Sequence, residues 1–267
     1  MIDFNAGVTR LESVRGFLFD LDGVLYVGGQ VIEGAREALE CIREAGYGCR
    51  FITNTSTLSL ASLQGKLNAL GFDIPREEII SAPQAVLLYL QSCDDPLCHL
   101  LLAEDVKCDF AAFRQSDTHA DYVVVGDIGE RWNYAVLNRA FRLLIEGAAL
   151  IAVHKNRFWR TEEGLQMDLG GFVAALEYAG AKQAQIIGKP SPAFFELALQ
   201  DLGLPADQVA IVGDDIDADI GGGQASGLSG ILVKTGKYRE DYVRAVSVRP
   251  DGIIDSIRDL PQVLGIP

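Results

Sequence analysis

Gly16-Phe17-Leu18-Phe19-Asp20-Leu21-Asp22-Gly23-Val24-Leu25-Tyr26 is the stretch on which the fold turns. Phe17 to Phe19 are apolar on both faces, the pattern of a short strand buried inside a parallel sheet. The run ends in two acids two residues apart, then a glycine that lets the chain turn sharply. Ligands of open α/β sheets sit at the carboxyl edge of the strands. Two carboxylates at such an edge can share a hard cation such as Mg2+ and still leave an oxygen free to attack. An ordinary Asp-Gly turn after a strand is the plain alternative.

Working outward, the chain has 267 residues, enough for one large α/β domain or two smaller ones. Its hydrophobic fraction of 49% supplies a full core and excludes global disorder. No apolar stretch reaches the roughly 20 residues of a membrane span, and residues 1–15 lack a basic-then-apolar leader, so a cytoplasmic protein is expected. A formal charge of −14 argues against a nucleic-acid surface. It also means that an anionic substrate must be held by local cations. The five cysteines, Cys41, Cys49, Cys93, Cys98 and Cys108, contain no C-x-x-C pair and read as reduced thiols. A zinc site from Cys93, Cys98, His99 and Cys108 would be irregularly spaced.

After the opening strand, 33–45 has helical composition and Gly46 a C-terminal stop. A second strand, 49–52, runs into Thr53-Asn54-Thr55-Ser56, and Ser59 can cap a helix to Leu70. Strand, helix, strand, helix with short links is the pattern of right-handed parallel βαβ units. A short strand is expected at 79–80. The texture then changes: 84–184 carries its own alternation, with strands at 99–103, 122–125 and 150–154 and helices at 85–90, 134–145 and 171–179. The opening style resumes at 185–187, followed by Gly188-Lys189-Pro190, a helix from Pro192, and a strand at 209–212. That strand ends in Gly213-Asp214-Asp215-Ile216-Asp217-Ala218-Asp219. A strand at 230–233 and a terminal helix over 253–264 close the chain. The expected organisation is a doubly wound parallel core, 1–83 with 185–267, carrying an inserted α/β cap, 84–184.

Four strands thus end in reactive residue types: Asp20/Asp22, Thr53/Asn54, Lys189 and Asp214. Parallel strands place all such ends on one edge. Phosphoryl transfer needs a nucleophile, charge neutralisation and proton delivery. Asp20 suits the nucleophile and Asp22 the acid/base. Asp214 completes an oxygen site for Mg2+ with Asp20 and the main-chain carbonyl of Asp22. Thr53 and Lys189 suit phosphoryl oxygens, and Asp219 can hold Lys189 or a metal-bound water from outside. Taken singly, Lys189 could be a solvated turn lysine and Thr53/Asn54 a plain helix entry. The acids at 214–219 could form a solvated loop, but they lack the glycine and glutamate of a calcium hand.

Asp-Leu-Asp-Gly-Val-Leu-Tyr from Asp20, Ile-Thr-Asn-Thr-Ser from Ile52, Gly-Lys-Pro from Gly188 and Gly-Asp-Asp-Ile-Asp-Ala-Asp-Ile from Gly213 resemble, in order, the four motifs of the haloacid dehalogenase superfamily. The insert resembles a class II cap. Within the superfamily, His154-Lys155-Asn156-Arg157-Phe158-Trp159, residues 164–179 and Ile187 to Phe195 point to the branch of phospholysine, phosphohistidine and pyrophosphate phosphatases. The resemblance implies Asp20 as nucleophile, Asp22 as acid/base, and Thr53, Asn54 and Lys189 on phosphate. It implies Asp20, Asp22 and Asp214 on Mg2+, with Asp215 and Asp219 behind them. His154, Lys155 and Arg157 are candidate cap contacts, or else solvated residues of a β-hairpin. A small phosphorylated substrate, no nucleic-acid or membrane partner, and dimerisation through the cap are the partner expectations. Sugar-phosphate or nucleotide phosphatases, a receiver module with an Asp phosphoacceptor, and a non-catalytic binding protein are the competing readings.

Overall fold

The computed structural model describes residues 11–161 and 164–266. The chain divides into two compact units: one holds the residues up to Thr53, Lys66–Ile80 and the chain from Lys189 on, the other Asn54–Gly65 with Ser81–Gly188. In the first unit lie β1 (Gly16–Asp20), the small ladder β2 (Tyr26–Val27) and β3 (Gln30–Val31), β4 (Gly48–Thr53) and all but the last residue of β5 (Ile79–Ser81). The second unit holds β6 (Leu97–Leu101), β7 (Arg114–Gln115), β8 (Tyr122–Val125), β9 (Ala149–Ala152), the hairpin β10 (Phe158–Thr161) and β11 (Gly164–Met167), and β12 (Gln185–Ile186). The chain returns to the first unit for β13 (Val209–Gly213), β14 (Ser229–Val233) and β15 (Gly252–Ile254).

The first unit is built on a six-stranded sheet in the order β15-β14-β13-β1-β4-β5. All pairings from β15 to β4 are parallel. β1 is buried along its whole length, as a two-sided strand must be. Phe17 and Phe19 share one face, and Phe19 stacks on Phe51 of β4 at 5.8 Å between ring centroids. Each fully buried ring of this kind contributes roughly 1.5–3 kcal/mol relative to exposure. The helix Ala35–Glu44 buries Ala35, Ala38, Leu39 and Ile42, the i, i+3, i+4, i+7 stripe that faces a core. The helix Pro192–Leu202 does the same with Phe194, Phe195 and Ala198.

The second unit has a five-stranded sheet, β12-β9-β8-β6-β7, with parallel pairings throughout. The fold class is the expected one. Two elements differ. The strand expected to reopen the core at 185–187 is β12, which pairs with β9 in the second unit's sheet. The segment 253–264 is not a single helix: Gly252–Ile254 is the edge strand β15, and only Leu260–Val263 is α-helical. Ser256 is the reason. Its side chain accepts the Arg258 N–H while Asp259 accepts its own N–H, a reciprocal cap that starts a new turn there. No helix among the described residues is long and apolar enough to cross a membrane.

Candidate active site

Register fixes the centre of the site. Phe19 pairs with Val212 on one side and Phe51 on the other, so Asp20 ends β1 between the ends of β13 and β4. Asp214 follows β13 directly, and Thr53 is the last residue of β4. Asp20, Thr53, Lys189, Asp214 and Asp219 are all buried.

Lys189 joins the acids. Its Nζ lies 2.7 Å from Asp20 Oδ1 and 2.7 Å from Asp219 Oδ1. Burial alone would pull this ammonium down, but the two carboxylates outweigh it and hold the lysine charged. Asp219 returns to the site because the chain after Asp215 makes a π-helical turn, Ile216–Gly221, which Asp215 caps by accepting the N–H groups of Asp217 and Ala218. Those donors and the Lys237 ammonium, 3.4 Å away, overcome burial and keep Asp215 below the usual carboxylate range. Burial and the neighbouring negative charges do the opposite to Asp219, pushed up to about 6 against the pull of Lys189. Asp214 is raised well above its ordinary value by burial and by Asp20.

The acids can hold a cation. One carboxylate oxygen each from Asp20, Asp214 and Asp219 lie within 4.8 Å of one another. Asp214 Oδ1 is buried without a hydrogen-bond partner, a costly state for a carboxylate oxygen unless a hard cation takes it. Asp219 thus joins Asp20 and Asp214 as a third side chain at the cluster, where the sequence reading had only the main-chain carbonyl of Asp22 as the third oxygen. The Asp22 side chain is exposed, outside the trio, and its pKa is raised by partial burial against the pull of Lys66 and Lys237.

Asp214 is also clamped. Its Oδ2 accepts the Lys237 N–H at 2.7 Å. A Cβ built on Gly23 or on Gly236 would overlap that same carboxylate, and both glycines have positive φ, 92° and 57°. The Thr235 hydroxyl donates to the Gly23 carbonyl, tying the two turns together. Sequence reasoning stopped at β14 and missed Thr235, Gly236 and Lys237, although they too follow the carboxyl end of a core strand. Gly236→Ala should lower Mg2+ affinity at least about tenfold, since coordination at 2.0–2.1 Å tolerates little displacement of a ligand. Titration calorimetry checks this; unchanged affinity would remove the clamp from the account.

Asn54 falls in the second unit, where its amide faces Asn156 Oδ1 at 3.5 Å. His154 is not a surface group: it is buried, with Nε2 3.5 Å from Ser56 Oγ and Nδ1 receiving the Asn156 N–H at 3.3 Å. Lys155 pairs with Glu177. The hairpin near them begins at Phe158, just after the basic residues. Among the described residues Cys93, Cys98, His99 and Cys108 form no metal-ligand cluster: Cys98 is buried against the Pro96 carbonyl, whereas Cys108 is exposed on the Glu104 carbonyl.

Comparison with known proteins agrees with this geometry. A family described as haloacid dehalogenase-like hydrolase matches residues 17–113, and a second HAD-hydrolase-like family matches residues 186–260. The chain is 39% identical over 266 residues to a phospholysine phosphohistidine inorganic pyrophosphate phosphatase of Rattus norvegicus, covering 97% of each. It is 41% identical over 240 residues to haloacid dehalogenase-like hydrolase domain-containing protein 2 of Homo sapiens, covering 90% of this chain and 91% of that one. Among solved structures, a 4-nitrophenylphosphatase of Thermotoga maritima superposes with a TM-score of 0.88 at 27% identity, over 95% of this chain and 98% of the other. Four strand-end motifs in order, a buried acid–lysine site and full-length relatives converge: the chain belongs to the haloacid dehalogenase-like hydrolases, and within them to the phosphatases.

Proposed function

We propose that this phosphatase is Mg2+-dependent and works through an aspartyl-phosphate on Asp20. The observation that carries the reading is the buried Lys189 ammonium bridging Asp20 and Asp219 beside the unpartnered Asp214 Oδ1. Asp20, Asp214 and Asp219 offer the oxygens that would hold Mg2+, which supplies charge neutralisation at the phosphoryl group when bound. Lys189 orients the Asp20 carboxylate through Oδ1, and Asp20 attacks phosphorus. Asp22, exposed one pleat further on, gives its proton to the departing atom. It then takes a proton from the water that attacks phosphorus, so that phosphate leaves and Asp20 is restored. Thr53, ending β4 beside Asp20, donates its hydroxyl to a phosphoryl oxygen. Asn54 is assigned to the same phosphate by resemblance.

The substrate is a small phosphorylated compound of the phosphohistidine, phospholysine or pyrophosphate kind, after the name of the relatives at 38–39% identity. Selection among such compounds is assigned to the inserted unit. A panel of phosphoramidates, pyrophosphate, sugar phosphates and nucleotides, assayed with Mg2+ and with excess chelator, tests the reading. Turnover that needs Mg2+ is expected, together with a hydroxylamine-labile phosphoprotein on acid quench. An acyl-phosphate that persists for hours would indicate a receiver module, and no turnover at all a binding protein.

A further inference from the structure

Outside the acid–lysine centre, the first unit holds one further cation whose setting calls for a role. Lys66, in the helix Leu60–Ala69, places its ammonium 4.2 Å from the centroid of the Tyr26 ring. The ring is a fixed support. Tyr26 is 1% exposed, its carbonyl accepts the Gly23 N–H at 2.7 Å, and its backbone bridges to Asp22. A cation over an aromatic face is attracted by the ring quadrupole yet keeps its donors for another partner. Lys66 makes no side-chain hydrogen bond or ion pair with any described residue. Its half-buried position costs the ammonium part of its hydration, which lowers its pKa, and the charge it feels most is that of Asp22.

In the reaction proposed above, on which this inference rests, Asp22 delivers a proton to the leaving atom. The leaving group therefore departs past Asp22, and a cation that flanks Asp22 flanks the leaving group as well. We infer that Lys66 is a specificity-determining residue that favours substrates whose leaving group is an anion. Pyrophosphate is such a substrate. As Asp20 attacks one phosphorus, the bond from that phosphorus to the bridging oxygen breaks, and the bridging oxygen departs on the second phosphate with the proton of Asp22. Negative charge accumulates on that second phosphate in the transition state, where a nearby ammonium stabilises it selectively. Phosphoramidates differ: the nitrogen leaves as a neutral amine and enters carrying a positive charge when protonated, which the same ammonium repels. Lys66 thus separates the P–O–P bond from the P–N bond among the substrates named for the relatives.

The test compares pyrophosphate with phosphoramidate, which share the transferred group and differ in leaving-group charge. In Lys66→Met the ratio of kcat/KM for pyrophosphate to that for phosphoramidate should fall at least tenfold, and Lys66→Arg should restore most of it. Lys66→Gln, with a far-ultraviolet spectrum and melting curve beside it, covers the case in which the methionine variant does not fold. An unchanged ratio, or a loss equal for both substrates and for Lys66→Arg, overturns the inference and leaves the phosphatase reading standing. Wild-type turnover of phosphoramidate without any of pyrophosphate also overturns it. Failure of the wild type on every phosphorylated compound overturns the phosphatase reading and this inference together.

Discussion

Replacing Asp20 with Asn should leave a folded protein whose phosphate release is about 10^4-fold slower or worse, the scale seen when a nucleophile is removed from an otherwise intact site. The two side chains have nearly the same shape, and β1 keeps its register because Phe17, Leu18 and Phe19 hold it from both faces. Lys189 would still have Asp219 at 2.7 Å, so its ammonium does not become an orphan. The amide cannot form an acyl-phosphate, so the acid-quenched protein should carry no label even with substrate in excess. Initial rates over at least five decades of enzyme concentration, with a circular dichroism spectrum for each protein, measure the effect. A folded Asp20→Asn protein with rates near wild type would remove Asp20 from the nucleophile role.

Lys189→Met should produce the largest change in stability of any single substitution at the site. Methionine nearly matches the lysine in length, so little cavity opens; the effect is electrostatic. Asp20 and Asp219 would be left facing each other in a buried place with only the Lys237 ammonium to oppose them, and breaking a buried pair in this way costs about 3–5 kcal/mol. Asp219, already pushed up to about 6 with the lysine present, would take a proton more readily still and recover part of that loss. Divalent metal should recover more, because a ligand present at 100 times its Kd adds about 2.7 kcal/mol to the folded state. Urea unfolding of wild type and variant, with and without Mg2+, reads both effects. Equal midpoints for the two metal-free proteins would show that the ammonium is not what neutralises these acids.

Much of this was legible in the residues because strand ends are legible. Asp20, Thr53 and Asp214 each end or directly follow a strand of one parallel sheet, and topology gathers them; Lys189 follows β12, a strand of the other sheet, and was legible only from its Gly-Lys-Pro motif. Groups outside that pattern were hidden. Lys66 sits in an unremarkable surface helix, and nothing local ties it to Tyr26, forty residues earlier in the chain. Gly236 and Lys237 read as one more polar turn, since a contact with Asp214 depends on the register of β13 against β14. His154 misled in the other direction. Among basic neighbours it suggests a solvated contact residue, but it directly follows the buried strand β9 and Val153, and its ring is enclosed with Ser56 and Asn156. Ile253-Ile254 suits a helix as well as a strand until Ser256 is recognised as a cap.

The position of β1 at the middle of the six-stranded sheet also bears on how the chain is made. Its neighbour β4 leaves the ribosome soon after it, but its other neighbour, β13, begins about 190 residues later. At roughly 5–20 residues per second, that is about 10–40 s of synthesis. Throughout that interval Ser81–Gly188 can complete its own sheet, while the strand bearing Asp20 waits with one hydrogen-bonding edge unmatched. The nascent protein therefore acquires Asp20 among its first segments and the Lys189, Asp214 and Asp219 that surround it among its last. An open, apolar edge is a liability for aggregation in the meantime, and chains released before β13 would keep that edge for good.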